Sequence, residues 1–179
     1  ILSDLIKITE VHQIINLMRT NNKRFLFNFV ILSVLMVFTA CNSNDFFNEY
    51  KTLKDGWNRS EPAVFDFESL DTITKRDAFI NIRTTSDYAY SNLFLIVKMT
   101  PPEGHAIVDT LQYQMANPDG SMLGTGFTDV KEHKLVWRKK LVFKKQGVYN
   151  IEITNAMRKV SEVKGDATLQ GITEVGLQL

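Results

Sequence analysis

The residue with the most distinctive chemistry is Cys41, the only cysteine in the 179-residue chain. Its thiol stands directly after the small residue Ala40, at the end of an apolar run from Phe25 to Phe38. A thiol at such a place can form a thioether to diacylglycerol, and a small residue before it lets processing enzymes reach the backbone. The expected cleavage therefore falls between Ala40 and Cys41, with lipid attachment at Cys41. A lone cysteine also excludes an intramolecular disulfide and a cysteine-based zinc site. His105 and His133, the two histidines after Cys41, have no partner pattern of a catalytic triad and read as surface residues. Gly124, Thr125 and Gly126 lack the residues a phosphate loop needs and read as a tight turn or bulge. No aspartate spacing fits a calcium loop. No catalytic residue, metal or cofactor is expected, and the chain reads as a non-enzyme.

The segment before Cys41 has the anatomy of a secretion signal: Lys23 and Arg24, then the apolar run, then Thr39 and Ala40. About 14 residues make roughly 21 Å of helix, short of the roughly 30 Å hydrocarbon core, which disfavours a permanent membrane span. The position of Cys41 matches the lipobox of bacterial lipoproteins, with Phe38 where Leu is preferred. Several acyl chains on one residue exceed the single-chain threshold for stable attachment. Met18 stands just ahead of the basic region, so residues 1–17 read as a spurious upstream extension and 18–40 as the signal peptide. Residues 41–50 read as a lipidated tether, within which Phe46, Phe47 and Tyr50 would pin the segment onto the domain. The expected location is the cell membrane or outer membrane, facing the periplasm.

Of the 21 basic residues 4, and of the 20 acidic residues 2, precede Cys41, which leaves 17 against 18 in the remainder. Near-neutrality supplies no global field to gather nucleic acid. One stretch departs from it. Lys131, Lys134, Arg138, Lys139, Lys140, Lys144 and Lys145 concentrate positive charge around the Leu135 to Phe143 strand region. They read either as edge-strand lysines that discourage aggregation or as a docking patch for an acidic partner or anionic headgroups. Trp57, Tyr88, Tyr90 and Trp137 offer an alternative, a carbohydrate-binding site made of stacking rings, against ordinary core packing.

These residues must be positioned by strands, because period-two alternation recurs along residues 51–179. Phe65 and Phe67, Ala78 to Ile82, Leu111 to Met115, Tyr149 to Ile153 and Val175 to Leu179 each place apolar residues on one face. The continuous run from Leu93 to Val97 suggests a central strand covered on both faces. Pro101 to Gly104, Asn117 to Gly120 and Gln146 with Gly147 supply turns. A short helix from Ala156 to Val163 with Asn155 as its N-cap completes the expectation. The predicted fold is an all-β antiparallel sandwich of seven or eight strands with one short helix.

Certain stretches resemble the GldH family of gliding-motility lipoproteins of the Bacteroidota. The resemblance is carried by Tyr50 with Gly56 and Trp57, by FINIR at 79–83, DYAYSNLFL at 87–95 and DTLQYQMANPDG at 109–120. LGTGFTD at 123–129, AMR at 156–158 and GITEVG at 171–176 continue it in order, while Met122 stands where the family's turn has an aromatic. The resemblance implies a structural or interaction component of the gliding machinery associated with type IX secretion. Its implied partners are the membrane and other envelope proteins, with no nucleic acid and no small-molecule substrate.

Overall fold

Alternation along the sequence becomes alternation of burial along the strands. The computed structural model describes residues 45–126, 129–158 and 168–179. Ten strands run through them: β1 (Asn48–Thr52), β2 (Trp57–Asn58), β3 (Ala63–Ser69), β4 (Arg76–Thr84), β5 (Asn92–Thr100), β6 (Ile107–Gln114), β7 (Lys131–Leu141), β8 (Gly147–Asn155), β9 (Thr168–Leu169) and β10 (Ile172–Gln178). One four-stranded sheet has the order β1-β10-β4-β7 and another the order β3-β8-β5-β6, with β2 and β9 as a small ribbon. Every pairing between these strands is antiparallel.

The inward residues of both sheets enter one apolar cluster. Ile80 and Ile82 of β4 and Val175 and Leu177 of β10 come from one side, and Phe65 of β3, Leu95 of β5 and Ile151 of β8 from the other. All seven are fully buried, and each such side chain contributes about 1.5–3 kcal/mol through removal of apolar surface from water. Phe46 and Phe47 join this cluster from the start of the domain. Phe46 meets Phe67 edge-on at 5.9 Å, and Phe47 lies 5.3 Å from the same ring. β1 takes up the last three residues of the expected tether, with Tyr50 opposite Gly176 of β10.

Two expectations need correction. Among the described residues there is no helix. Asn155 is not a cap: it ends β8, is fully buried, and donates through Nδ2 to the Trp57 carbonyl at 3.0 Å. The next residue, Ala156, donates its N–H to the Phe94 carbonyl at 2.9 Å, so the chain continues a strand ladder where a helix would have to begin. The rest of the expected helix, 159–163, lies outside the described residues. The second correction concerns β5. It is central, with β8 and β6 on its two edges, but only Leu93, Leu95, Val97 and Met99 are buried. Phe94, Ile96 and Lys98 on the other face are half-exposed.

The turns behave as their residues dictate. Gly120 donates its N–H to the Asn117 carbonyl at 2.9 Å and has φ of 87°, a left-handed value that side chains resist. A tighter constraint holds at Gly171, with φ of 80°. A Cβ there would come within 2.2 Å of the Tyr88 backbone nitrogen.

Candidate functional site

β6 and β7 each form one edge of their sheet, and side chains of the two strands meet in a polar arrangement. It begins with irregular pairing. Phe79 of β4 faces Val136, but Ala78 faces Arg138 and Arg76 faces Leu141, so β7 carries two extra residues in this half. A bulge of this kind turns consecutive side chains toward one side. Trp137 and Arg138 both reach Asp109 of β6. The indole Nε1 donates to Oδ2 at 2.8 Å, while the guanidinium donates through Nε to Oδ2 and through a terminal nitrogen to Oδ1, both at 2.7 Å.

Three charge-assisted donors on one carboxylate make a strong clasp between the sheet edges. The Arg138 hydrogen bonds, with help from Trp137, hold the Asp109 carboxyl below the usual carboxylate range against an opposing effect of burial. The same bonds push the Arg138 guanidinium up. Farther along β6, the Tyr113 hydroxyl donates to the Val136 carbonyl at 2.8 Å, and burial chiefly pushes that phenol up to about 12.

Beyond the clasp the two edges part into a groove of about 820 Å³. Met99, Leu111, Leu141 and Tyr149 supply apolar walls, and Lys139, Lys140, Lys144 and Lys145 line its charged side. The second bulge sets Lys140 at φ of 55°, where its N–H donates to Asp77 Oδ1 at 2.8 Å. Lys145 pairs with Glu103 at 3.4 Å. Its peptide is pinned from both sides by Tyr149, whose hydroxyl accepts from Lys145 N–H and donates to Lys145 O. Among the described residues, Lys139, Lys140 and Lys144 have no carboxylate within ion-pair distance. Five of the seven basic residues singled out in the sequence thus meet around one groove, Arg138 neutralised at its base and the lysines around it, while Lys131 and Lys134 are not part of its lining.

A second charged cluster lies on the outer face of the β1-β10-β4-β7 sheet. Arg83 contacts Glu174 at 2.5 Å and Glu132 at 3.4 Å, and its guanidinium sits 4.7 Å over the Tyr50 ring. The Tyr50 hydroxyl donates to Glu132 at 2.7 Å, and burial first, then that carboxylate, pushes it up to about 12. Residues of FINIR, of GITEVG and Tyr50 therefore converge in space.

This convergence agrees with the comparison of the chain with known proteins. The family model described as "GldH lipoprotein" matches residues 45–179. The chain belongs to the GldH lipoprotein family. The gliding motility lipoprotein GldH of Flavobacterium johnsoniae is 40% identical over 150 residues, covering 84% of this chain and 92% of that one. The GldH homolog of Christiangramia forsetii is 39% identical over 151 residues, covering 84% and 93%. Among solved structures, the VP2 subviral particle of infectious bursal disease virus matches at a TM-score of 0.31 and 14% identity; the matched region covers 78% of this chain and 34% of that one. A likeness that slight carries no argument.

Other sequence-derived candidates fare differently. Ala40 and Cys41 lie outside the described residues, as do the signal segment 18–40 and residues 1–17. Trp57, Tyr88 and Trp137 are buried, Trp57 completely, and their polar atoms are spent on Glu61 O, Asn92 O and Asp109. The coplanar exposed rings of a sugar-stacking site are therefore lacking at these three positions. His133 is buried, against the surface expectation, because it falls in the inward phase of β7; its Nε2 lies 3.2 Å from Thr84 Oγ1, and burial pushes its imidazole pKa down. His105 is exposed. Among the described residues no three of His, Cys, Asp and Glu gather as a metal would require.

Asp109 was missed in the sequence, although one signal was available. It shares the phase of Leu111 and Tyr113 on β6, and a carboxylate in the inward phase of a strand demands an inward cation.

Proposed function

We propose that the chain is a membrane-anchored lipoprotein of the gliding machinery, associated with type IX secretion, whose β-sandwich acts by contact with other envelope proteins and performs no turnover. Removal of the segment ending at Ala40 leaves Cys41 as the acylated N-terminus, with the domain facing the periplasm. The observation that carries this reading is the similarity to proteins named gliding motility lipoproteins, which extends over more than nine-tenths of their length. The placement of the sole cysteine after Ala40 supports the anchor independently. The burial of Trp57, Tyr88 and Trp137 weighs against the carbohydrate alternative.

A clean deletion in the source bacterium tests the reading. Loss of surface spreading is expected, with recovery on supplying the wild-type gene and none on supplying Cys41→Ser. Normal spreading of the deletion strain refutes it.

A further inference from the structure

The strands bring four segments to one end of the domain: the entering residues 45–47, the β3–β4 loop, the β5–β6 loop and the β7–β8 loop. They touch one another. Gln146 Nε2 donates to the Leu70 carbonyl at 2.9 Å, Lys145 pairs with Glu103, and the Phe46 ring lies 6.5 Å from Phe143 and 4.2 Å from the Arg76 guanidinium. On this end stand the most exposed large apolar residues of the described chain that lie in loops, Ile73 at 83% and Leu70 at 65%, with Val148 at 56% just beyond the β7–β8 loop. Beside them are the lysines of the groove.

Among the described residues, the loops of the opposite end expose Leu123 and Val130 less, and the cations Lys54 and Arg59 there are interleaved with Asp55 and Glu61.

We propose that the Ile73 end of the domain rests on a bilayer containing anionic phospholipid, with Lys139, Lys140, Lys144 and Lys145 on the headgroups and Leu70 and Ile73 in the interface. The proposal depends on the anchor reading of Cys41. Where the chain leads argues for this occupant: Cys41 is four residues before Asp45, a span of at most about 14 Å. Acyl chains at Cys41 would thus hold this end, and no other, close to the headgroups. Charge complementarity acts once this end comes within about 8 Å of the headgroups, the screening length at physiological salt, and a tether this short lets it do so. A lipid chain combined with a polybasic patch is a two-signal attachment, in which each lysine near an anionic surface favours the docked state about fivefold. An acidic peptide would use the same lysines but gives no role to the protruding Ile73.

The test uses the acylated protein purified from cell membranes and reconstituted into vesicles. With Cys41 consumed by lipid, an introduced Ile73→Cys or Leu123→Cys is the sole free thiol and takes an environment-sensitive fluorophore. In phosphatidylcholine vesicles with roughly a third phosphatidylglycerol, doped with spin-labelled quencher lipid, the probe at position 73 should lose at least about twofold more emission than the probe at 123. The difference should shrink in pure phosphatidylcholine, in high salt, and on combining Lys139→Gln, Lys144→Gln and Lys145→Gln, which spares the left-handed position 140. Equal quenching at both positions in protein that still floats with the vesicles overturns the docking and leaves the anchor intact. So does quenching at 73 that ignores headgroup charge and the lysines, or lysine-dependent binding of an acidic peptide without any quenching. Protein that fails to float at all contradicts the anchor reading instead.

Discussion

Two regions of the domain concentrate charge, and they handle it in opposite ways. On the outer sheet face, Arg83 is enclosed by Glu132, Glu174 and the Tyr50 ring, so each charged atom has a partner on a neighbouring strand. At the end where the chain enters, Lys139, Lys140 and Lys144 around the groove have none among the described residues. Paired charges on strands give register and orientation. Lysines gathered by a bulge without such partners among the described residues add little to folding, and their place on the end that exposes Leu70 and Ile73 fits the docking proposed above. The Asp109 clasp stands between these cases: it is paired and structural, yet it shapes the base of the groove.

Substitutions separate these roles, and the largest effect is expected where the entering segment meets the core. Phe67→Ala should cost about 3–5 kcal/mol in urea unfolding, because Phe67 touches Phe46, Phe47, Phe143 and Tyr149 at once. Asp109→Ala should cost about 2 kcal/mol by the same measurement, since it strands a half-buried guanidinium and an indole N–H. A cost as small as that of a surface pair would show the clasp to be dispensable. Glu174→Gln on the sheet face should cost less than about 1 kcal/mol, because Arg83 is partly solvated and keeps Glu132 as a second carboxylate. The triple replacement at Lys139, Lys144 and Lys145 should change stability by no more than about 0.5 kcal/mol. A large loss there would erase the distinction between the two regions.

A pH series adds an independent check on His133. Its folded-state pKa is depressed by burial, so the unfolded chain binds the proton more readily, and stability is expected to fall as pH drops below about 6.5. His133→Gln should remove that part of the slope. An unchanged slope in the variant would show that His133 does not titrate as its burial requires.

What was legible in the sequence was local. Phe65 and Phe67, Ile80 and Ile82, and Ile151 and Ile153 took the inward phase because period-two alternation needs no knowledge of the partner strand. The turn at Asn117 to Gly120 followed for the same reason. The clasp was not legible, since the bulges that aim Trp137 and Arg138 together exist only in the pairing of β7 with β4. The burial of His133 had a signal that went unread: it shares the inward phase with Leu135 and Trp137, against exposed Lys134 and Val136. Asn155 resembled a helix cap, but a buried carbonyl 98 residues away at Trp57 claimed its amide. The lysines were visible as a run; their meeting with Leu70, Ile73 and the entering chain is a product of topology.

Metabolic labelling of growing cells with an alkyne fatty acid, followed by capture of this chain, is the most direct test of the account. Label on the wild-type protein and none on Cys41→Ser is expected, with the variant lost from the membrane fraction. An unlabelled wild type, or a serine variant that keeps both label and membrane residence, would contradict it.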